Sequence, residues 1–303
     1  MRRATPDRLI ITSPYEEPKQ HWSYDRETRS FELKEGRRSA GYTIASEASR
    51  SFDDPGIFME LSLVNRIRPR VKAWHEGGYP GVTGITKRLL EHWNDPEQRE
   101  LKLFFCQIEA LETAIWIGEV AGKYGEAWVE NMLREKNQLS NPLLYRIAFK
   151  MATGSGKTLV MAMIIAWQTL NKLANTQDPR FSDTFLIVTP GITIRDRLRV
   201  LLPNDPQNYY RLHDLVPSDL MPELDKAKMV ITNFHAFKQR ERISAGKLTK
   251  QLLKQQKESP FTETPDQMVR RVCRELGNKK NIIVINDEAH HCYRRKPDGE
   301  QEA

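Results

Sequence analysis

The sequence predicts an α/β fold built on a mainly parallel sheet, and three observations predict it. Residues 184–189, 229–232 and 282–285 are short apolar runs with no polar face, as strands covered on both sides require. Each run stops at turn-forming or polar residues, and the stretches between include helical patterns. A glycine-rich turn at 152–158, Ala-Thr-Gly-Ser-Gly-Lys-Thr, stands between the apolar run 147–149, read as a further buried strand, and residues 159–173, read as a buried helix.

Length and composition allow one large domain or two smaller ones: 303 residues, 39% of them hydrophobic. The net charge of +7 suits a polyanionic partner but is ordinary for soluble proteins. The first residues carry no apolar signal core and the longest apolar run, 159–167, is half of what spans a bilayer, so a cytoplasmic protein is expected. The 3 cysteines, Cys106, Cys273 and Cys292, have neither disulfide-framework nor metal-ligand spacing.

In chain order, residues 1–55 read as a polar arm or small β-containing cap, with one strand candidate at 9–12. Residues 56–100 read as a helical extension. Apolar residues recur at helical spacing from 57 to 74, with Pro69 set to kink that helix and Gly77-Gly78 to stop it, and a second helix covers 85–93. Their Arg66, Arg68, Arg70, Lys72, Lys87 and Arg88 form a solvated basic face by default, a nucleic-acid surface as the alternative. The third division, 101–303, holds everything that carries chemistry. A helix follows Phe104-Phe105-Cys106, and its Gln107 has an amide that both donates and accepts. It can read the N6 and N7 edge of adenine, or simply cap the helix.

At the glycine turn, Gly154 and Gly156 permit backbone angles that let the loop amides, with Ser155 among them, curl around an anion, while the following helix adds the positive end of its dipole. Lys157 can reach β and γ phosphates and the Thr158 hydroxyl can ligate magnesium. The plainer reading is a glycine turn that happens to precede a helix, and Met151 stands where the strict phosphate-loop pattern has glycine. The strand at 184–189 ends in Pro190-Gly191 and that at 229–232 ends in Asn233-Phe234-His235. Residues 238–281 read as a basic, linker-like insertion, either a duplex-contacting element or a charged hairpin. The strand at 282–285 then delivers Asn286-Asp287-Glu288-Ala289-His290 at its carboxyl end, where open α/β sheets place their chemistry. Alone, two such carboxylates are ordinary loop charge. Beside a phosphate cradle, Asp287 can hold magnesium and Glu288 can polarise an attacking water.

Residues 152–158 and 287–290 together resemble motifs I and II of the superfamily 2 helicases and translocases. Ser-Pro-Tyr-Glu-Glu-Pro at 13–18, His21-Trp22 and Glu-Gly-Arg-Arg at 35–38 resemble the opening of restriction-type helicases related to the ATP-driven subunit of type III restriction enzymes. The resemblance implies a RecA-like phosphate-loop domain after the helical extension, ATP and Mg²⁺ as cofactors, and double-stranded DNA and a methyltransferase subunit as partners. Lys157, Asp287 and Glu288 are then catalytic, Thr158 and Asp287 hold the metal, and Gln107 matches an adenine-reading position upstream of motif I. Pro190, Gly191 and Arg195, with Thr232 and Asn233, fall where the family grips nucleic-acid phosphates, and His290 where it couples hydrolysis to movement. An RNA helicase, or a nucleotide-dependent binding module without turnover, shares motifs I and II. The resemblance further implies that these residues are the first part of a longer protein, with an incomplete sheet: the strand that follows motif II, a second RecA-like domain with its arginine finger, and a nuclease region are expected beyond Ala303.

Overall fold

The computed structural model describes residues 9–25, 27–28, 30–44, 56–95, 97, 99–140, 144–240 and 263–289. They belong to two compact units, residues 1–160 and 161–303.

The first unit opens with two antiparallel pairs, β1 (Gln20–Asp25) with β2 (Ser30–Glu35) and β3 (Gly41–Ile44) with β4 (Ile57–Glu60). Residues 9–12, expected as a strand, form none, because no described segment offers them a ladder. The helix expected from residue 57 starts later for the opposite reason. Residues 57–60 find a partner in β3, and α1 (Ser62–Glu76) begins only after them. Its apolar spacing then holds, with Ile67, Val71 and Trp74 buried and Pro69 inside the helix. Gly78, at φ +76°, takes the left-handed turn that ends it.

Helix α2 (Gly84–Asn94) is capped by Thr83, whose hydroxyl accepts from the Thr86 N–H at 3.1 Å, and it buries Leu89, Leu90 and Trp93. Helix α3 (Phe105–Ile115) runs on through a wide turn at Trp116–Val120 and a tight one at Ala121–Tyr124, before α4 (Ala127–Ser140). Helix α5 (Lys157–Ala174) begins in the first unit and continues in the second. Ala162, Met163, Ile165 and Ala166 are all fully buried, as a helix without a polar face demands.

The second unit contains β5 (Thr184–Thr189), α6 (Ile192–Arg197), α7 (Tyr209–Leu212), α8 (Met221–Leu224), β6 (Lys228–Asn233), α9 (Pro265–Val272) and β7 (Ile283–Asn286). Among the described residues its sheet has three strands in the order β6-β5-β7, all parallel. The central β5 is buried on both faces: Leu186 and Val188 pack with Leu276 on one, while Phe185 and Ile187 point the other way. Leu276 lies inside the stretch read as an insertion, yet it closes the core over β5.

The strand β7 forms as expected but is not covered on both faces, with Val284 47% exposed, and a second strand expectation fails outright. Residues 147–149 form no strand, and Ile147 and Phe149 are 39% and 37% exposed. An apolar run becomes a strand only when a neighbour takes its backbone groups, and none of the three sheet strands pairs with it. The fold is therefore α/β and of RecA-like type, with a parallel sheet that stops at β7 among the described residues.

Candidate functional site

In the first unit the site is the loop that enters α5. Gly154 and Gly156 have φ of +80° and +78°, the left-handed region that residues with a Cβ avoid. Between them, the Ser155 N–H bonds the Ala152 carbonyl at 3.3 Å and the Ser155 hydroxyl donates to the same oxygen at 2.6 Å, which closes the turn. Helix α5 starts at Lys157, so Lys157 and Thr158 occupy its first turn, where backbone N–H groups lack intrahelical acceptors and the dipole favours negative charge. This donor set fits a phosphate group. The space around Gly154 is open, and a Cβ there would meet nothing within 4 Å.

Gln107 holds this loop from the side. It is only 4% exposed; its Oε1 accepts from the Phe104 N–H at 2.9 Å, and its Nε2 donates to the Ser155 carbonyl at 2.9 Å. The amide thus caps α3 and ties it to the phosphate-loop backbone, leaving one N–H and one lone pair beyond these bonds. The contact is so close that a Cβ on Gly156 would lie 2.2 Å from Nε2. The tie to Ser155 was not foreseen. A glutamine three residues past a helix start signals the cap, but nothing local signals a partner 48 residues away. Neighbouring Cys106 has its thiol pKa pushed up by burial, against the pull of backbone N–H groups, so it is no ready nucleophile.

In the second unit the parallel register sets the remaining residues. Thr189 stands opposite Asn233, and Val188 opposite Asn286, so Pro190 and Gly191, Thr232 and Asn233, and Asp287 and Glu288 all leave the sheet at the same carboxyl-terminal end. The Asp287 N–H extends the ladder by one bond to the Val188 carbonyl, 3.0 Å. Glu288 follows at φ +50°, with its N–H on the Asp287 carboxylate at 3.1 Å. A glutamate held in the left-handed region costs about 1–3 kcal/mol, and such strain concentrates at functional positions. Thr189, which sequence reasoning passed over, knits the strand ends: its hydroxyl bonds the Gly191 carbonyl at 2.9 Å and approaches that of Thr232 at 3.4 Å. A hydroxyl closing an otherwise apolar strand was the signal available. The Asn233 side chain caps the turn after β6 through the Ala236 N–H, and Arg195 forms an exposed pair with Asp196 at 2.8 Å. His290 lies outside the described residues.

Among the described residues no group of three histidine, cysteine or acidic side chains could hold a metal. Magnesium needs no such cage, since it takes one or two protein oxygens together with phosphate and water, and the Thr158 hydroxyl and Asp287 carboxylate are donors of that kind. Among the described residues no helix is long and apolar enough to cross a membrane.

The sequence model of one family, described as type III restriction enzyme, res subunit, matches residues 100–301. No curated protein and no solved structure gives a significant match.

Proposed function

The chain belongs to the family of the type III restriction enzyme res subunit, and from that premise we propose that it is an ATP-driven motor domain acting on double-stranded DNA. The family is helicase-like and ATP-dependent. Movement on duplex DNA, a methyltransferase partner and a cytoplasmic location belong to our reading. The observation that carries it is the pair of left-handed glycines leading into an eighteen-residue helix whose first residues are Lys157 and Thr158.

The roles follow from the chemistry of phosphoryl transfer to water, in which the protein positions groups and stabilises charge. Lys157 and the amides around Gly154, Ser155 and Gly156 neutralise the phosphates. Bound Mg²⁺·ATP supplies the transferred phosphoryl group and the cation that shields it. We assign Thr158 and Asp287 as magnesium ligands and Glu288 as the residue that polarises the attacking water. Gln107 contributes its remaining amide capacity toward adenine while holding the loop. For DNA, Pro190, Gly191, Thr232 and Asn233 offer phosphate contacts at the sheet end and Arg195 adds charge; the Asp196 pair is exposed and weak enough to exchange. His290 is assigned to coupling.

The test is the affinity for ATP. Lys157→Ala removes a charge-assisted contact worth about 1.5–3 kcal/mol, so calorimetry should show a Kd raised roughly tenfold or more. Equal affinities in the two proteins would end the motor reading.

A further inference from the structure

The phrases at 13–18 and 35–38 play no part in the motor chemistry, yet the first unit brings them together. Tyr15, Glu17, Arg37 and Arg38 line one cavity of about 850 Å³, closed on its other sides by α1, by α3 and by the end of α2. The Phe105 N–H bonds the Pro14 carbonyl at 2.8 Å, which fixes the first phrase to the start of α3. Neither Gln107 nor any residue of 150–158 lines the cavity. It is therefore a separate place from the phosphate loop, on the opposite face of α3, and its size is that of a small-molecule site.

Acidic and basic side chains are equal in number along the cavity wall, Glu16, Glu76 and Asp95 among the acids, but they are not paired evenly. Glu109 gives both carboxylate oxygens to Arg37, with Nη2 at 2.7 Å from Oε2. Glu17 is taken by Lys72 at 2.7 Å. Glu112, 4% exposed, accepts from the Tyr79 hydroxyl at 2.8 Å and sits 2.8 Å from His75 Nδ1. Arg68 shares the Glu109 carboxylate with Arg37, as the more distant of the two partners. Its Nε lies 3.7 Å from Glu109, too far for a hydrogen bond, and is buried with no acceptor among the described residues. Among the described residues its one hydrogen bond is a long one, 3.3 Å, from Nη1 to the Arg38 carbonyl. Burial and the neighbouring Arg37 both work against its charge, with Glu109 and Glu17 pulling the other way. An incompletely compensated guanidinium in a cavity that also presents Val71, Trp93 and Leu103 has the make-up of a receptor for an anion with an apolar body.

We propose that this cavity is a second ligand site, distinct from the phosphate loop, for a small organic anion whose carboxylate or phosphate is held by Arg68 and the exposed Arg38. The ligand's body lies against Val71, Leu103 and Trp93. Phenyl phosphate and benzoate share an aromatic body and differ in the head group, so the pair tests the site and names its preference. They are titrated calorimetrically into the full chain carrying Lys157→Ala, which removes the principal phosphate contact of the other site. Saturable binding of at least one probe with unit stoichiometry is expected, and either order of affinity supports the site. Adding Arg68→Met, which keeps the apolar stem, should weaken binding roughly tenfold or more, with Arg68→Lys falling between. Absence of saturable binding for both probes, or an unchanged affinity in Arg68→Met, overturns the proposal. If Arg68→Met loses its cooperative melt, the surface substitution Arg38→Met decides instead: weaker binding supports the site and unchanged binding overturns it.

Discussion

Residues 147–149 and 283–286 are two apolar runs of nearly the same kind, Ile-Ala-Phe and Ile-Val-Ile-Asn, each placed just before a stretch that carries chemistry. The second became β7, in register with Phe185 to Val188 of β5, and holds Asp287 through one further ladder bond. The first stayed irregular and more than a third exposed at Ile147 and Phe149. The difference does not lie in the side chains. Strand formation is a property of a pair, because each unpartnered backbone group prefers water to a buried edge. The two stretches that follow are held accordingly: Asp287 by a sheet, the phosphate loop by the amide of Gln107.

The largest effect should appear at the sheet-held end. In the full-length protein, Glu288→Gln keeps the shape and should retain ATP binding, while DNA-stimulated turnover falls roughly 10²- to 10⁴-fold, since an amide cannot accept the proton of the attacking water. Turnover close to wild type would place the base elsewhere.

The contrast between the runs themselves is a matter of stability. Ile187→Ala empties a fully buried position of the central strand and should cost about 2–5 kcal/mol, whereas Phe149→Ala should stay within about 0.5 kcal/mol. Urea unfolding of both variants checks this. A comparable loss for Phe149→Ala would mean that residues 147–149 pair after all in solution.

The smallest effect concerns how the loop is held. Gly156→Ala meets two obstacles, the left-handed φ and the Gln107 amide 2.2 Å from the new Cβ, and should destabilise by about 1–2 kcal/mol. In a double-mutant cycle, Gln107→Ala should recover only the steric part. Full recovery would show that the backbone angle is not strained, and none would show that the amide yields freely.

Much of this was legible in the sequence, for identifiable reasons. The three sheet strands declare themselves as short apolar runs bounded by polar or turn residues, although only β5 is buried on both faces, and α5 by the unbroken apolar run 159–167. The glycines announce their turn because left-handed backbone angles are costly for residues with a Cβ. What could not be read is whatever depends on a partner distant in the chain. Nothing within residues 57–60 says that Gly41–Ile44 will pair with them and shorten the expected helix. No local pattern connects Gln107 to Ser155, or converts the phrases at 13–18 and 35–38 into the wall of one cavity. The strain at Glu288 is invisible too, since glutamate is not a residue that advertises positive φ.

The placement of β5 between β6 and β7 has a consequence for the chain while it is being made. Both edges of this fully buried strand are satisfied by segments that come later in the sequence, and β7 leaves the ribosome almost a hundred residues after β5. At about 5–20 residues per second, that interval is on the order of 5–20 s. Throughout it, one side of Thr184–Thr189 offers open hydrogen-bonding groups flanked by Phe185 and Ile187, which suits it equally to the same strand of a neighbouring nascent copy. Yield of soluble protein should therefore depend on translation rate and on chaperones that shield extended apolar segments, even though the finished sheet buries that strand completely.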